Sequence, residues 1–303
     1  MFLPSRRTAL AAGSATIASA VGFPLMAEQP TKKRKLVMIA GTPSHGPGMH
    51  EHNAGVLLFQ KCLQGIAGLD VEIVLNGYPK DDSMLDGADA IFVYADGGGR
   101  HPLIQGERIP RIDKLIAKGV GLFCCHFGVE VPKGKPGDAF RTWIGGCYEH
   151  EWSCNPMWKA EFTKLPDHPI CRGVKPFAIF DEWYFNMRFR PELQGVTPIL
   201  TATPTDATRD GPYVYPKGPY KHIQEAKGRP EHVMWCTERP DGGRGVGFTG
   251  GHFHINWQNN DFRKLVLNAL LWISKVDVPQ NGVASEVTDE EMKKNLDPKG
   301  KKK

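Results

Sequence analysis

The sequence predicts an α/β protein, a doubly wound and mostly parallel sheet with an inserted β-rich, Trp/Pro-rich elaboration. Three observations predict it. Between residues 35 and 125, short apolar runs alternate with segments of helical period, the pattern of strands buried on both faces and joined by crossover helices. From about 140 to 237 that alternation stops and Trp, Pro and Gly become dense. A strand pattern then returns at 244–249, followed by a last long helical pattern.

Residues 35–40 are apolar and closed by Gly41, as a buried strand requires. Ala54, Leu57, Leu58 and Cys62 fall at i, i+3, i+4 and i+8, one face of a helix. Strands follow at 71–74 and 90–94. Ile109, Ile112, Leu115 and Ile116 mark a second amphipathic helix ended by Gly119. Residues 120–125 form a wholly apolar strand. Four β-like pieces at 159–162, 177–183, 197–202 and 232–237 predict strands and long loops that extend the sheet edge and roof the site. Phe262, Leu265, Val266, Ala269, Leu270 and Ile273 form the last amphipathic helix. Thr288 and Glu291 have capping-box spacing. The domain is expected over 33–278, with a short helix and lysine-rich tail over 279–303.

With 303 residues, 41% hydrophobic and 23% charged, the chain is long and apolar enough for one large buried core. Much of the net charge of +5 sits in Lys32, Lys33, Arg34 and Lys35 and in Lys299, Lys301, Lys302 and Lys303. Such runs are read as solvated ends, so no nucleic-acid partner is expected. Residues 1–27 are expected to be a signal peptide: Arg6 and Arg7 precede an Ala/Ser/Gly-rich apolar stretch, with cleavage after Ala27. Ser5-Arg6-Arg7 resembles a twin-arginine signal, although Ala9-Leu10 stands where Phe-Leu is usual; an ordinary Sec signal is the alternative. No other run reaches the ~18 apolar residues of a membrane span. A periplasmic or secreted protein is therefore expected. Seven cysteines with no C-x-x-C spacing read as packing thiols.

Polar clusters lie just past four strand ends, where a doubly wound sheet binds its ligand. They are Gly41 to His52, with His45, His50 and His52; Asp96-Gly-Gly-Gly-Arg-His101; His126-Phe-Gly-Val-Glu130; and Gly250-Gly-His252-Phe-His254. One such histidine is commonly a core or capping residue. Four strand ends together make a site.

His126-Phe127-Gly128 resembles the nucleophile elbow of class I glutamine amidotransferases, where Cys-x-Gly is expected. Gly247 to His254 is similar to the segment bearing that triad's His-x-Glu, and Gly97-Gly98-Gly99 matches the place of the oxyanion loop. Here His126 replaces the cysteine and His254 the glutamate. Cys125 is one residue early and should point to the opposite face. Without a positioned thiolate the chain should not hydrolyse glutamine. That departure, with Phe180-Asp-Glu-Trp-Tyr184 and Gly243-Arg-Gly245, resembles the ThuA-like (trehalose utilisation) branch over about residues 35–278. The resemblance implies a flavodoxin-like, class I glutamine amidotransferase-like fold and a carbohydrate partner, a glycoside or 3-keto-glycoside.

His126, Glu182 and His252 are the candidate catalytic groups. His45, Asp96, Gly98, His101, Glu130, Trp183 and His254 are candidate substrate contacts. Glu182 and Asp96 could form an acid/base pair, and Trp183, Trp143, Trp152, Trp158 and Tyr184 could offer faces to sugar rings; buried core is the other reading for the aromatics. His50 and His52, an H-x-H pair, are candidate ligands of a divalent ion, zinc, manganese or iron. Three readings follow: an enzyme acting on a glycoside or keto-sugar, a non-catalytic carbohydrate-binding protein, and a metal-dependent hydrolase of another substrate.

Overall fold

The protein is described by a computed structural model over residues 32–299. The expected signal peptide over 1–27 and Lys301 to Lys303 lie outside the described residues.

In chain order the elements are β1 (Arg34–Ala40), α1 (His52–Cys62), β2 (Leu69–Val74), β3 (Ala90–Tyr94), α2 (Arg108–Ile116), β4 (Gly121–Cys125), α3 (Lys135–Ile144) and β5 (Gly146–Cys147). They continue with β6 (Met157–Phe162), β7 (Phe177–Glu182), β8 (Arg188–Phe189), β9 (Thr197–Ala202), α4 (Asp206–Asp210) and α5 (Lys221–Gln224). The last are β10 (Glu231–Glu238), β11 (Arg244–Phe248), α6 (Asn260–Ile273) and α7 (Asp289–Met292).

The main sheet runs β2-β1-β3-β4-β11-β10-β9. The pairs from β2 through β11 are parallel, and β10 and β9 add an antiparallel edge. The central parallel strands β3 and β4 are buried along their length because helices cover both faces, whereas the edge strand β2 carries Asp70 and Glu72. Leu36, Met38, Phe92 and Phe123 pack on one side with α1 and α6; Val37, Ile39, Val93 and Leu122 pack on the other with α2 and α3. Gly121 lets α6 close in, since a Cβ there would sit 2.2 Å from the Ile273 carbonyl oxygen.

The region 140–237 matches expectation in part: its four β pieces form as β6, β7, β9 and β10, and the last two extend the sheet edge, but its start is helical. Helix α3, with Pro136 in its first turn and Gly145 in a left-handed C-cap, occupies its start; Phe140 and Trp143 are its buried face rather than part of a loop. Strands β9 and β10 belong to the main sheet. Only β5 with β8 and β6 with β7 form separate hairpin-like pairs. Helix α6 is buried almost all round rather than on one face, because the turn Pro169–Cys171 and the chain from Val278 onward cover its outer side. All seven cysteines are free and buried.

Lys299 also departs from a solvated tail. Its ammonium is buried 3.2 Å from the Glu51 carboxylate, while Glu51 accepts hydrogen bonds from Gly48 N and Asp297 N. The C-terminal segment thereby clamps the loop after β1. The capping box at Thr288 is formed. Among the described residues, no helix is long and apolar enough to cross a membrane.

Candidate functional site

The loops past β1, β3, β4 and β11 meet at the C-terminal edge of the sheet, beside the point where strand order reverses between β1 and β3. β4 ends on Cys125, and the chain turns sharply at His126, whose φ is +54°. His45 and His50 also have positive φ, 58° and 48°. Non-glycine residues in that region mark places where surrounding structure holds a strained backbone. An antiparallel bridge pairs Met49 with Phe253, and His50 N donates to the His252 carbonyl at 3.0 Å. The two histidine-bearing loops are thus tied edge to edge.

Their side chains converge with Glu182, delivered by the end of β7. His50 Nε2 lies 3.0 Å from His126 Nε2 and 3.0 Å from His252 Nδ1. His252 Nδ1 lies 3.3 Å from His126 Nε2, and Glu182 Oε2 lies 2.7 Å from His252 Nδ1 and 3.5 Å from His126 Nε2. All four side chains are buried.

The outer hydrogen bonds decide what these atoms can do. His126 Nδ1–H donates to the Thr249 carbonyl at 2.8 Å, and His50 Nδ1–H donates to Asp96 Oδ1 at 2.8 Å. In the neutral rings both Nε2 atoms therefore carry lone pairs, and the two lone pairs face each other at 3.0 Å. Such an arrangement repels itself unless a positive charge lies between. A tetrahedral ion with bonds of ~2.0–2.1 Å holds nitrogen ligands roughly 3.3 Å apart, so the observed spacing fits one. Neutral imidazole with carboxylate suits zinc, manganese or iron. The same demand for positive charge appears in the ionisation of the cluster. Burial pushes His126 down, but Glu182 outweighs it and holds the imidazole above its ordinary value. Burial pushes Glu182 up, and hydrogen bonds from His126 and His252 hold it below the usual carboxylate range. His50 is held well below its ordinary value, by burial and then by the neighbouring histidines, and so is ready as a neutral ligand.

A second layer positions these groups. Asp96 also accepts from Ser44 Oγ at 2.9 Å, making a carboxylate–histidine pair behind His50. Asn155 Nδ2 donates to Glu182 Oε1 at 2.9 Å. Asp181, fully buried, accepts from the backbone N–H groups of Glu182, Gly251 and His252 and from Asn256 Nδ2, at 2.8 to 3.0 Å. Sequence reasoning missed Asp181 and Asn155. Asp181 stood inside the quoted Phe180–Tyr184 motif, but nothing local distinguishes a backbone clamp from a surface aspartate.

The other expected site residues divide. His45 stacks on His50 with ring centres 3.6 Å apart and is partly exposed, so it lies on the solvent side of the cluster. Gly98, φ +64°, faces Glu130. His52, expected as His50's fellow ligand, instead faces Asp96 Oδ1 at 3.7 Å from behind: as the first residue of α1 it has left extended geometry, and the rings diverge. His101 is a structural pin, donating to the Gly128 carbonyl and accepting from Leu103 N. His254 turns away toward α7; it lines an apolar groove with Met49, Phe253, Ile255, Met292 and Leu296. Trp183 is no sugar platform. It is fully buried among Phe162, Phe248 and Phe262, because Glu182 faces the site and the next residue along an extended chain faces the core. Trp143 and Trp158 are core as well. Glu182 faces the imidazole cluster, and Asp96 supports His50 from behind. Cys125 is buried on the far face, and burial pushes its thiol well above its ordinary value.

Beside Asp96, Thr42, Ser44, Arg100, Gln105 and Arg108 line a polar cavity of about 410 Å³.

No curated protein matches the sequence. Among solved structures, a ThuA-like protein of Bacteroides uniformis superposes with TM-score 0.57 at 15% identity, covering 84% of this chain and 97% of that one. A ThuA-like protein of Parabacteroides merdae gives 0.56 at 17%, covering 85% and 94%. These likenesses concern the fold. The family model described as ThuA, trehalose utilisation, matches residues 37–273, which span β1 to α6 and every member of the imidazole–carboxylate cluster; the chain belongs to the ThuA family.

Proposed function

We propose that this protein is a divalent-metal enzyme acting on a glycoside or keto-sugar, and not a glutamine amidotransferase. The observation that carries the reading is the pair of lone pairs on His50 and His126, fixed 3.0 Å apart by their outer hydrogen bonds and flanked by His252 and Glu182. A bound ion would polarise a substrate oxygen, lowering the cost of charge developing on it. The chain's own groups supply the rest. His50, His126, His252 and Glu182 would hold the ion, Asp96 and Thr249 fix the tautomers, and Tyr184, with its hydroxyl 3.4 Å from His126 Nε2, lines the same space. The family's tie to trehalose supports a carbohydrate substrate, and the hydroxyl-, amide- and guanidinium-lined cavity beside Asp96 suits sugar hydroxyls. Twin-arginine export of the loaded protein belongs to this reading.

The test is metal analysis of the full chain after reconstitution with zinc, manganese or ferrous iron. We expect about one equivalent per chain at near-micromolar or tighter affinity, and loss of both ion and keto-disaccharide turnover in His126→Ala and Glu182→Ala. Wild-type protein that holds none of the three ions would end the metal reading. Sugar binding without turnover in the loaded protein would favour a carbohydrate-binding protein.

A further inference from the structure

With Glu182 and Asp96 occupied at the imidazole cluster, Glu130 remains as a carboxylate near it without a partner. It follows the His126 turn and is fixed by its backbone: Glu130 N donates to the Phe127 carbonyl at 3.0 Å, and its own carbonyl accepts from Gly98 N at 2.9 Å. The glycine loop fits closely against this turn, since a Cβ on Gly97 would lie 2.1 Å from the Phe127 oxygen. At Gly98 the space opens, and an added Cβ would meet only Glu130 Oε1, at 3.6 Å. A side chain at position 98 would cover the carboxylate; glycine leaves it accessible. Among the described residues that carboxylate makes no hydrogen bond or ion pair.

Its neighbours are phenols. Glu130 bridges to Tyr148 through the backbone, and the buried Tyr148 hydroxyl has no hydrogen-bond partner among the described residues. Tyr148 packs on Tyr184 with ring centres 5.2 Å apart, and Tyr184 reaches His126. The charges of both Glu182 and Glu130 bear on Tyr184. The buried Tyr148 hydroxyl without a partner is a group that calls for a ligand, and the half-buried Glu130 carboxylate beside it is open to whatever enters.

We infer that Glu130 is the catalytic proton carrier of the site, removing a proton from the carbon next to a sugar ketone, a role that rests on the metal-enzyme reading above. In that step the carboxylate takes the proton. The C–H electron pair becomes the C=C bond and the carbonyl π pair moves onto oxygen, giving an enolate. Return of a proton from Glu130 to carbon reverses it. Burial, followed by the Glu182 charge, pushes the Glu130 carboxyl up to about 7, where it can both take and return a proton at neutral pH. The substrate class is thereby a ketose or keto-glycoside with a hydrogen on the carbon adjoining its ketone.

The experiment uses the ion-loaded full chain in D2O with a keto-disaccharide, following deuterium incorporation at that carbon by NMR. Wild type should catalyse exchange. Glu130→Gln should lose it by about 100-fold or more, while keeping its ion and binding the sugar within a few-fold. Glu130→Asp, which keeps the charge but withdraws it, should fall between. Exchange at the wild-type rate in a folded Glu130→Gln protein overturns the inference. So does a wild type that binds ion and sugar without exchange. A wild type that holds no ion sinks the metal-enzyme reading first, and metal analysis tells the two failures apart.

Discussion

A single hydrogen bond decides how His50 behaves. Its Nδ1–H points at Asp96 Oδ1, so the lone pair on Nε2 faces the cluster rather than solvent. Carboxylates behind metal-binding imidazoles raise ligand basicity and fix ring orientation, and removing one typically costs about 10–100-fold in metal affinity. Asp96→Asn should therefore bind the ion more weakly by that factor while keeping all four ligand side chains. Competition against a chelator measures it, and unchanged affinity would show that Asp96 only holds Ser44. The positive φ values of His45, His50 and His126 tell the same story from the backbone, since three strained histidines around one point are held there by the surrounding loops.

Among the elements, the segment after α7 does more than end the chain. Lys299 places a buried ammonium on Glu51, and Asp297 bonds Glu51 and Asn53. Glu51, which accepts, and Asn53, whose amide donates to Asp297, both lie at the start of α1 just after His50. Taking away one partner of a buried pair leaves an uncompensated charge, a loss of about 3–5 kcal/mol; backbone N–H groups that also serve Glu51 put this case at the lower end. Lys299→Met should lower the urea midpoint accordingly and weaken ion affinity, because the loop bearing His50 is freed. A variant as stable as wild type would mean that the segment is ornamental. Likewise β7 acts through its end: Asp181 pins the 251–252 backbone, Glu182 enters the cluster, and Trp183 closes the core.

Across the whole molecule, buried neutral histidines set the response to acid. Burial pushes His52 and His101 down to about 3 and His254 to about 4, against ~6.5 in an unfolded chain. Above ~6.5 neither state is protonated and these residues give no pH dependence. Below it the unfolded chain takes up protons that the folded one refuses, so stability falls as pH drops, by up to about 1.4 kcal/mol per pH unit for each histidine. His126 and Glu130, both shifted upward, act in the opposite sense, but they are outnumbered, since His45, His50, His168 and His232 are also held below their ordinary value. Urea midpoints measured from pH 7.5 down to 4.5 should be flat at first and then fall steeply below ~6.5. A midpoint that rises on acidification would contradict this reading.

The sheet was legible in the sequence because its signals are local. Apolar runs at 35–40, 90–94 and 120–125 became β1, β3 and β4, and the Thr288–Glu291 spacing formed its capping box. Helix α3 was hidden because Pro136 and Gly137 read as loop, although Pro suits a helix's first turn. That polar groups gather past four strand ends was also readable, since a parallel sheet sends those ends to one edge. Which of them meet was not. His50 and His252 lie 202 residues apart along the chain, and His52 and His254, each two residues from a cluster member, face elsewhere. Trp183 went to the core and Glu182 to the site by one step of strand alternation whose phase depends on what β7 packs against. By itself the sequence determined the parallel strands, the helices α1, α2 and α6, and the edge where polar groups gather, because periodicity and apolarity act between near neighbours. Only the tertiary structure decided which nitrogens carry lone pairs toward one point and which carboxylate stays unpartnered, because those depend on contacts between loops that no local pattern encodes.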